Sequence, residues 1–376
     1  MINPVRISAL LVALAAATSH ADETLAQPDS GPVAVSWFHT VAINGFASAG
    51  YTYNFNLPAS GLNGLRVFDF AHNQPRLEVV ELVIQRPAID RGEIGFRIDA
   101  TLGAAIPKVT AASGLFRDAE GQAGVFDLQQ AFVSYVAPLG RGLKLDVGKF
   151  VTPAGAELIE GYDGYNDNVS RSLLFGYAIP FTHTGVKASY PIAPWLTASA
   201  MGVMGWDNFK DNNDAKTLGA QVSLTPSDQL SVFVTYLGGA ERNDIDWRHL
   251  LDIVAVFKPN HLLCVGLNLD LATDANAIAP GQSAGWGGLA GYVRWTPTGR
   301  LALSARAEWF RDAGGARTGT SQDLVSVTLT PEVKITSALI VRGELRLDQS
   351  TEQFFETAAG QSAVQATAAL NVVFVL

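Results

Sequence analysis

From Ala42 to Leu376 the chain alternates apolar and polar residues in segments about ten residues long, separated by turn residues. In an extended strand, alternate side chains point to opposite faces. In the clearest segment Leu339, Val341, Gly343, Leu345 and Leu347 share one face, and Ile340, Arg342, Glu344, Arg346 and Asp348 share the other. One face is oily and the other mostly charged. A soluble β-sandwich also alternates, so the pattern needs further features to choose its solvent.

The first such feature is the N-terminus. Arg6, the apolar run Ile7 to Ala17, and Ser19 and Ala21 around His20 have the form of a secretory signal cleaved after Ala21. That run is well short of the roughly 20 residues a spanning helix needs. The best later window, Leu250 to Ala272, is broken by Asp252, Lys258, Asn260, His261, Asn268 and Asp270. The expected organisation is a signal peptide over 1–21, a flexible lead-in over 22–40 and a barrel over 41–376.

The connections supply the second feature. Strands are expected near 42–56, 76–86, 93–106, 125–137, 143–152, 182–191, 196–206, 216–225, 230–238, 248–258, 262–272, 284–296, 301–312, 323–331, 338–348 and 363–376. Short turns such as Pro138–Gly142 and Pro226–Gln229 alternate with longer loops rich in Asn, Asp, Gly and Ser. Aromatic residues gather at strand ends: Tyr135, Tyr190, Trp195, Phe257 and Trp295 by the short turns, Trp206, Tyr236 and Trp309 near the opposite ends. Only a closed sheet satisfies all strand hydrogen bonds in lipid. The expected fold is therefore all-β: a transmembrane antiparallel up-and-down β-barrel of about 16 strands, with its short turns in the periplasm.

Charge then orients the wall. Arg or Lys at the lipid-facing midplane costs about 2–4 kcal/mol, so charged faces turn inward. This sends Arg97, Asp99, Lys144, Asp146, Lys187, Asp270, Arg294, Arg306, Glu308, Arg342, Glu344 and Arg346 into a lumen too wide for side chains to fill, hence a water-filled one. The inward charges are too balanced to choose anion over cation. Glu78 and Glu81 have opposite parity, and only a bulge could turn both inward.

The longest connection, Pro153 to Phe181, is too long for an ordinary hairpin link. It carries Glu157, Glu160, Asp163, Asp167 and Arg171, together with Leu158, Ile159, Leu173, Leu174, Phe175 and Ile179, enough apolar surface to anchor it. We expect it to fold partly into the lumen and narrow it, with Arg171 lining the constriction and Glu157, Glu160 and Asp163 favouring cations and facing Arg294, Arg306, Arg342 and Arg346. An external lid is the alternative.

At these residues the chain resembles the OmpL-like group of outer-membrane β-barrel porins. The likeness is carried by Asp127-Leu128-Gln129-Gln130-Ala131-Phe132-Val133-Ser134-Tyr135, by Val147-Gly148-Lys149-Phe150 with Gly155-Ala156-Glu157, and by the run from Asn168 to Val186. It implies a porin of a Gram-negative outer membrane that passes small hydrophilic solutes or ions without catalysis. The chain finishes on Leu376 with Phe374 two before it, where barrels of this kind commonly present a final aromatic residue to the assembly machinery. Trimers are common among porins of this size, but no diagnostic interface is legible.

Other functions find little support. The net charge of −9 argues against nucleic acid, and the single Cys264 permits neither an internal disulfide nor a thiolate cluster. No HExxH is present, and Asp211 and Asp214 beside Asn212 and Asn213 read as a hydrated loop rather than a calcium site. No cofactor or metal is expected.

Overall fold

The computed structural model describes residues 40–376, so the expected signal and nearly all of the lead-in lie outside the described residues. Half of the barrel wall comprises β1 (Ala42–Asn54), β2 (Gln74–Arg86), β3 (Ile94–Leu102), β4 (Phe126–Ala137), β5 (Leu143–Val151), β6 (Thr182–Ala193), β7 (Leu196–Val203) and β8 (Thr217–Ser227). The other half comprises β9 (Leu230–Ala240), β10 (Trp247–Asn260), β11 (Leu263–Ala279), β12 (Gln282–Trp295), β13 (Leu301–Ala313), β14 (Gln322–Lys334), β15 (Leu339–Ser350) and β18 (Val364–Val375). Each pairs antiparallel with its neighbours, and β18 closes the barrel on β1 with Phe46 opposite Val375.

Every expected strand is present to within a few residues, except that β11 runs on to Ala279 and pairs there with Gln282 of β12. The strand expected over 93–106 stops at Leu102: Gly103 takes φ 150°, and helix α1 (Ile106–Ser113) follows with Pro107 in its first turn. A small hairpin, β16 (Phe355–Thr357) and β17 (Gly360–Ser362), stands in the last long loop.

Alternation sets the two faces as the charges require. Leu345, Leu347, Val327 and Leu271 are exposed outward, where lipid would cover them, while Arg342, Glu344, Arg346 and Asp348 are buried inward. On β2, Ser48 pairs with Val79 but Ala49 with Leu77, leaving Glu78 as an extra residue. This bulge turns both Glu78 and Glu81 into the barrel, where both are buried. The aromatic residues at the strand ends face outward with one correction: Trp206 is buried in the mouth, edge-on to Trp286 at 6.2 Å.

The lumen differs from the expectation of a uniformly wet interior. The inner face of β9–β14 presents Leu237, Leu250, Ala290, Phe310 and Leu324, all fully buried in one apolar cluster with Leu173, Leu174, Phe175 and Ile179 of the long loop. The loop thus fills part of the interior as a packed core. Its apolar residues need a dry partner, and this side of the wall supplies one.

Candidate functional site: the lumen and its inserted loop

The loop between β5 and β6 enters the barrel and is fastened along its length. At its start Gly155 takes φ 91°, a backbone turn that favours glycine. Gln221 donates to the Pro153 carbonyl (2.9 Å), and the Ala156 N–H donates to Asn268 Oδ1 (3.2 Å). Beyond the turn the carboxylates engage the wall. Glu157 pairs with Arg306 at 2.7 Å and also accepts from the Ser172 N–H at 2.7 Å, stapling the two legs of the loop together. Glu160 meets Arg342 at 3.2 Å and Arg171 at 3.5 Å. Burial alone would raise its carboxyl, but Arg171, Arg342 and the Asn166 N–H hold it below the ordinary carboxylate range.

The far edge reaches the other side of the barrel. Tyr162 N–H donates to Glu81 Oε2 (2.8 Å), Asp163 pairs with Arg97 (2.7 Å), and Gln85 donates to the Tyr162 hydroxyl. On the return leg Asp167 pairs with Arg294 (2.9 Å), and the Val169 and Ser170 N–H groups donate to Glu344 (2.6 and 3.0 Å). The Leu173 N–H donates to Glu308 (2.6 Å), and Trp286 Nε1 donates to the Ala178 carbonyl (3.0 Å). The exit is capped by Asp207, which accepts from the Phe181 and Thr182 N–H groups at 2.6 and 2.8 Å. Burial pushes the Asp207 carboxyl up to about 6, against the lowering effect of those two bonds.

The residues singled out in the sequence divide into two sets. Arg294, Arg306, Arg342 and Arg346 lie inside the barrel, their side chains at most 5% exposed. The first three hold loop carboxylates. Arg346 holds the loop by donating to Ser170 Oγ (3.1 Å) and the Arg171 carbonyl (2.5 Å), and it pairs with Asp348 at 2.8 Å. Arg171 is buried, stacked over Phe68 at 4.8 Å, and does not line free space. The charges of Glu157 and Glu160 are likewise enclosed by guanidinium groups, so these two do not present an acidic surface to solvent. The second set, Arg97, Asp163, Lys144 and Lys187, stays partly exposed, as do Ser189, Ser199 and Thr225 on the inner faces of β6–β8. What remains open of the lumen therefore lies along β3–β8.

Two contributors were not read from the sequence. The loop between β1 and β2 sends Arg66 to Asp348 (2.7 Å) and Phe68 onto Phe175, with ring centroids 6.1 Å apart. Its apolar run around Val67-Phe68 was the available signal. At the mouth, Arg248 and Arg317 lie over both Trp206 and Trp286 at 4.8–5.9 Å. No periodicity could link those four positions.

A family model described as "Putative beta-barrel porin-2, OmpL-like" matches residues 40–376. Among solved structures of similar fold, the outer membrane channel DcaP of Acinetobacter baumannii superposes with a TM-score of 0.61 at 10% identity, over 89% of this chain and 97% of that one. The anion-selective porin of Comamonas acidovorans gives 0.59 at 10% identity, over 89% and 99%. The trimer form of OmpT from Vibrio cholerae gives 0.57 at 11% identity, over 90% and 99%. Likeness at these identities is one of fold. No curated protein matches the chain in sequence.

Proposed function

Because the chain belongs to the OmpL-like beta-barrel porin-2 family and is an outer-membrane porin, we propose that its inserted loop sets the width of the channel. Small hydrophilic solutes or ions diffuse passively through the strip of lumen between the loop's Tyr162–Asp163 edge and the inner face of β3–β8. The single observation behind this reading is that the loop is bonded across the ring of strands, to Glu81 on β2 and Arg97 on β3 at one end and to Asn268 on β11, diametrically opposite β3, at the other. A segment tied at both sides crosses the bore. Passage needs no catalysis, and we assign no catalytic residue.

Folded protein in a planar bilayer should give stepwise, persistent ion currents. Absence of steps from a barrel that migrates as folded in unheated detergent gels would overturn the channel reading. We further propose that the barrel assembles as a homotrimer, supported by a trimer form among proteins of the same fold. Chemical cross-linking in detergent should yield a ladder ending at three chains, and a ladder absent at all cross-linker concentrations would count against it.

A further inference from the structure

We infer that the open strip of the lumen holds an anion subsite built on Lys144 and Lys187. The inference rests on the channel reading above and names the solute class that channel favours. By sequence the inward charges nearly balance, but burial separates the two signs. The loop-holding arginines are at most 5% exposed and each sits against a carboxylate. Lys144 and Lys187 keep 41% and 26% of their side-chain surface, while the carboxylate they share, Asp146, keeps 5%. Cations that water can reach thus outnumber the anions beside them.

The geometry leaves those ammonium groups with donors to spare. Lys144 Nζ lies 3.6 Å and Lys187 Nζ 3.5 Å from Asp146, longer than a close charge-assisted bond, and Asp146 already accepts from Ser134 Oγ at 2.6 Å. One carboxylate between two lysines leaves a net charge of +1. The strand register places Asp146 opposite Lys187 and Lys144 opposite Ser189, and Ser199 Oγ donates to Ser189 Oγ at 2.8 Å, so hydroxyl groups border the lysines.

The opposing acidic side is differently presented. Asp163 is 28% exposed but bonded to Arg97, while Glu81 and Asp99 are buried beneath Tyr162 N–H, Gln130 and Arg97. Two ammonium groups on one wall, flanking a single carboxylate and with donors to spare, suit a small oxyanion such as a carboxylate or inorganic phosphate. In a narrow low-dielectric bore, such a fixed charge raises the local concentration of its counter-ion.

The test uses the full folded protein and two lysine-pair variants. In a potassium chloride gradient, the reversal potential should report chloride preferred over potassium, and millimolar inorganic phosphate should lower the chloride current. For a charge about 5 Å from the permeating ion under bulk-water screening, loss of one lysine changes the permeability of chloride and of potassium each about fourfold, in opposite directions. K144Q/K187Q should therefore lose most of the preference and the phosphate effect, and K144R/K187R should keep the preference. Independently of conduction, phosphate should protect Lys144 and Lys187 from amine acylation, read by peptide mass spectrometry. A cation-preferring native channel, an unchanged ratio in K144Q/K187Q, or no protection by phosphate would overturn the subsite. Channels with any of these results leave the porin reading standing, whereas a folded barrel without current removes that reading.

Discussion

Single side chains decide whether the loop stays in the barrel. Glu160 is buried between Arg342 and Arg171, and removing its charge leaves two guanidinium groups enclosed without their counter-ion. Breaking a buried pair from one side costs about 3–5 kcal/mol. Glu160→Gln should lower stability in detergent by about 3 kcal/mol, since glutamine still accepts one bond, and an unchanged denaturation midpoint would show the pairing to be ornamental. Asp207 works in the opposite sense. Its folded value of about 6 lies above its ordinary 3.8, so its stabilising contribution is complete below the lower value and is lost as pH rises through the higher one. Asp207→Asn keeps an acceptor for the Phe181 and Thr182 N–H groups without the charge. At pH 8 it should be more stable than the native protein by about 1–2 kcal/mol, and at pH 4 the difference should close; equal midpoints at both pH values would refute this.

At the level of elements, the strands were legible because lipid and an inward polar face impose opposite demands on neighbouring positions. Arg342, Glu344 and Arg346 oriented β15 unambiguously, and Glu78 and Glu81 signalled the bulge on β2 through their parity. On β9–β12 both faces carry apolar residues, such as Leu250 inward and Leu251 outward, and the inward Asp270 and Arg294 pointed to a wet lumen there, so the sequence did not mark the dry side of the interior. The loop's Leu173, Leu174 and Phe175 announced that it must pack somewhere; which strands received it depends on contacts remote in sequence. Arg171 was misread for the same reason, since its place under Phe68 depends on a different loop. Replacing residues 157–177 by a short Gly-Ser turn should raise single-channel conductance several-fold, because the segment that crosses the bore is gone. Equal conductance in a barrel that still shifts on heating in gels would show that the loop does not set the width.

For the molecule as a whole, the charges in the interior do mechanical service on one side and remain wetted on the other, and the loop divides the two. This division explains how a chain with 35 acidic and 26 basic residues can present lysines to its channel. The barrel is completed where β1 meets β18, the Gly45 N–H and carbonyl exchanging bonds with Leu376. Removing Val364–Leu376 should leave a chain that never acquires the heat-modifiable form, and a heat-modifiable truncated product would disprove the need for this joint. The joint has a kinetic implication: the earliest strand to emerge from the ribosome must wait for the latest, so the unsealed polypeptide travels with two raw margins. Until the joint forms, those margins are open to pairing with any other extended chain, and slow maturation is the signature of the architecture.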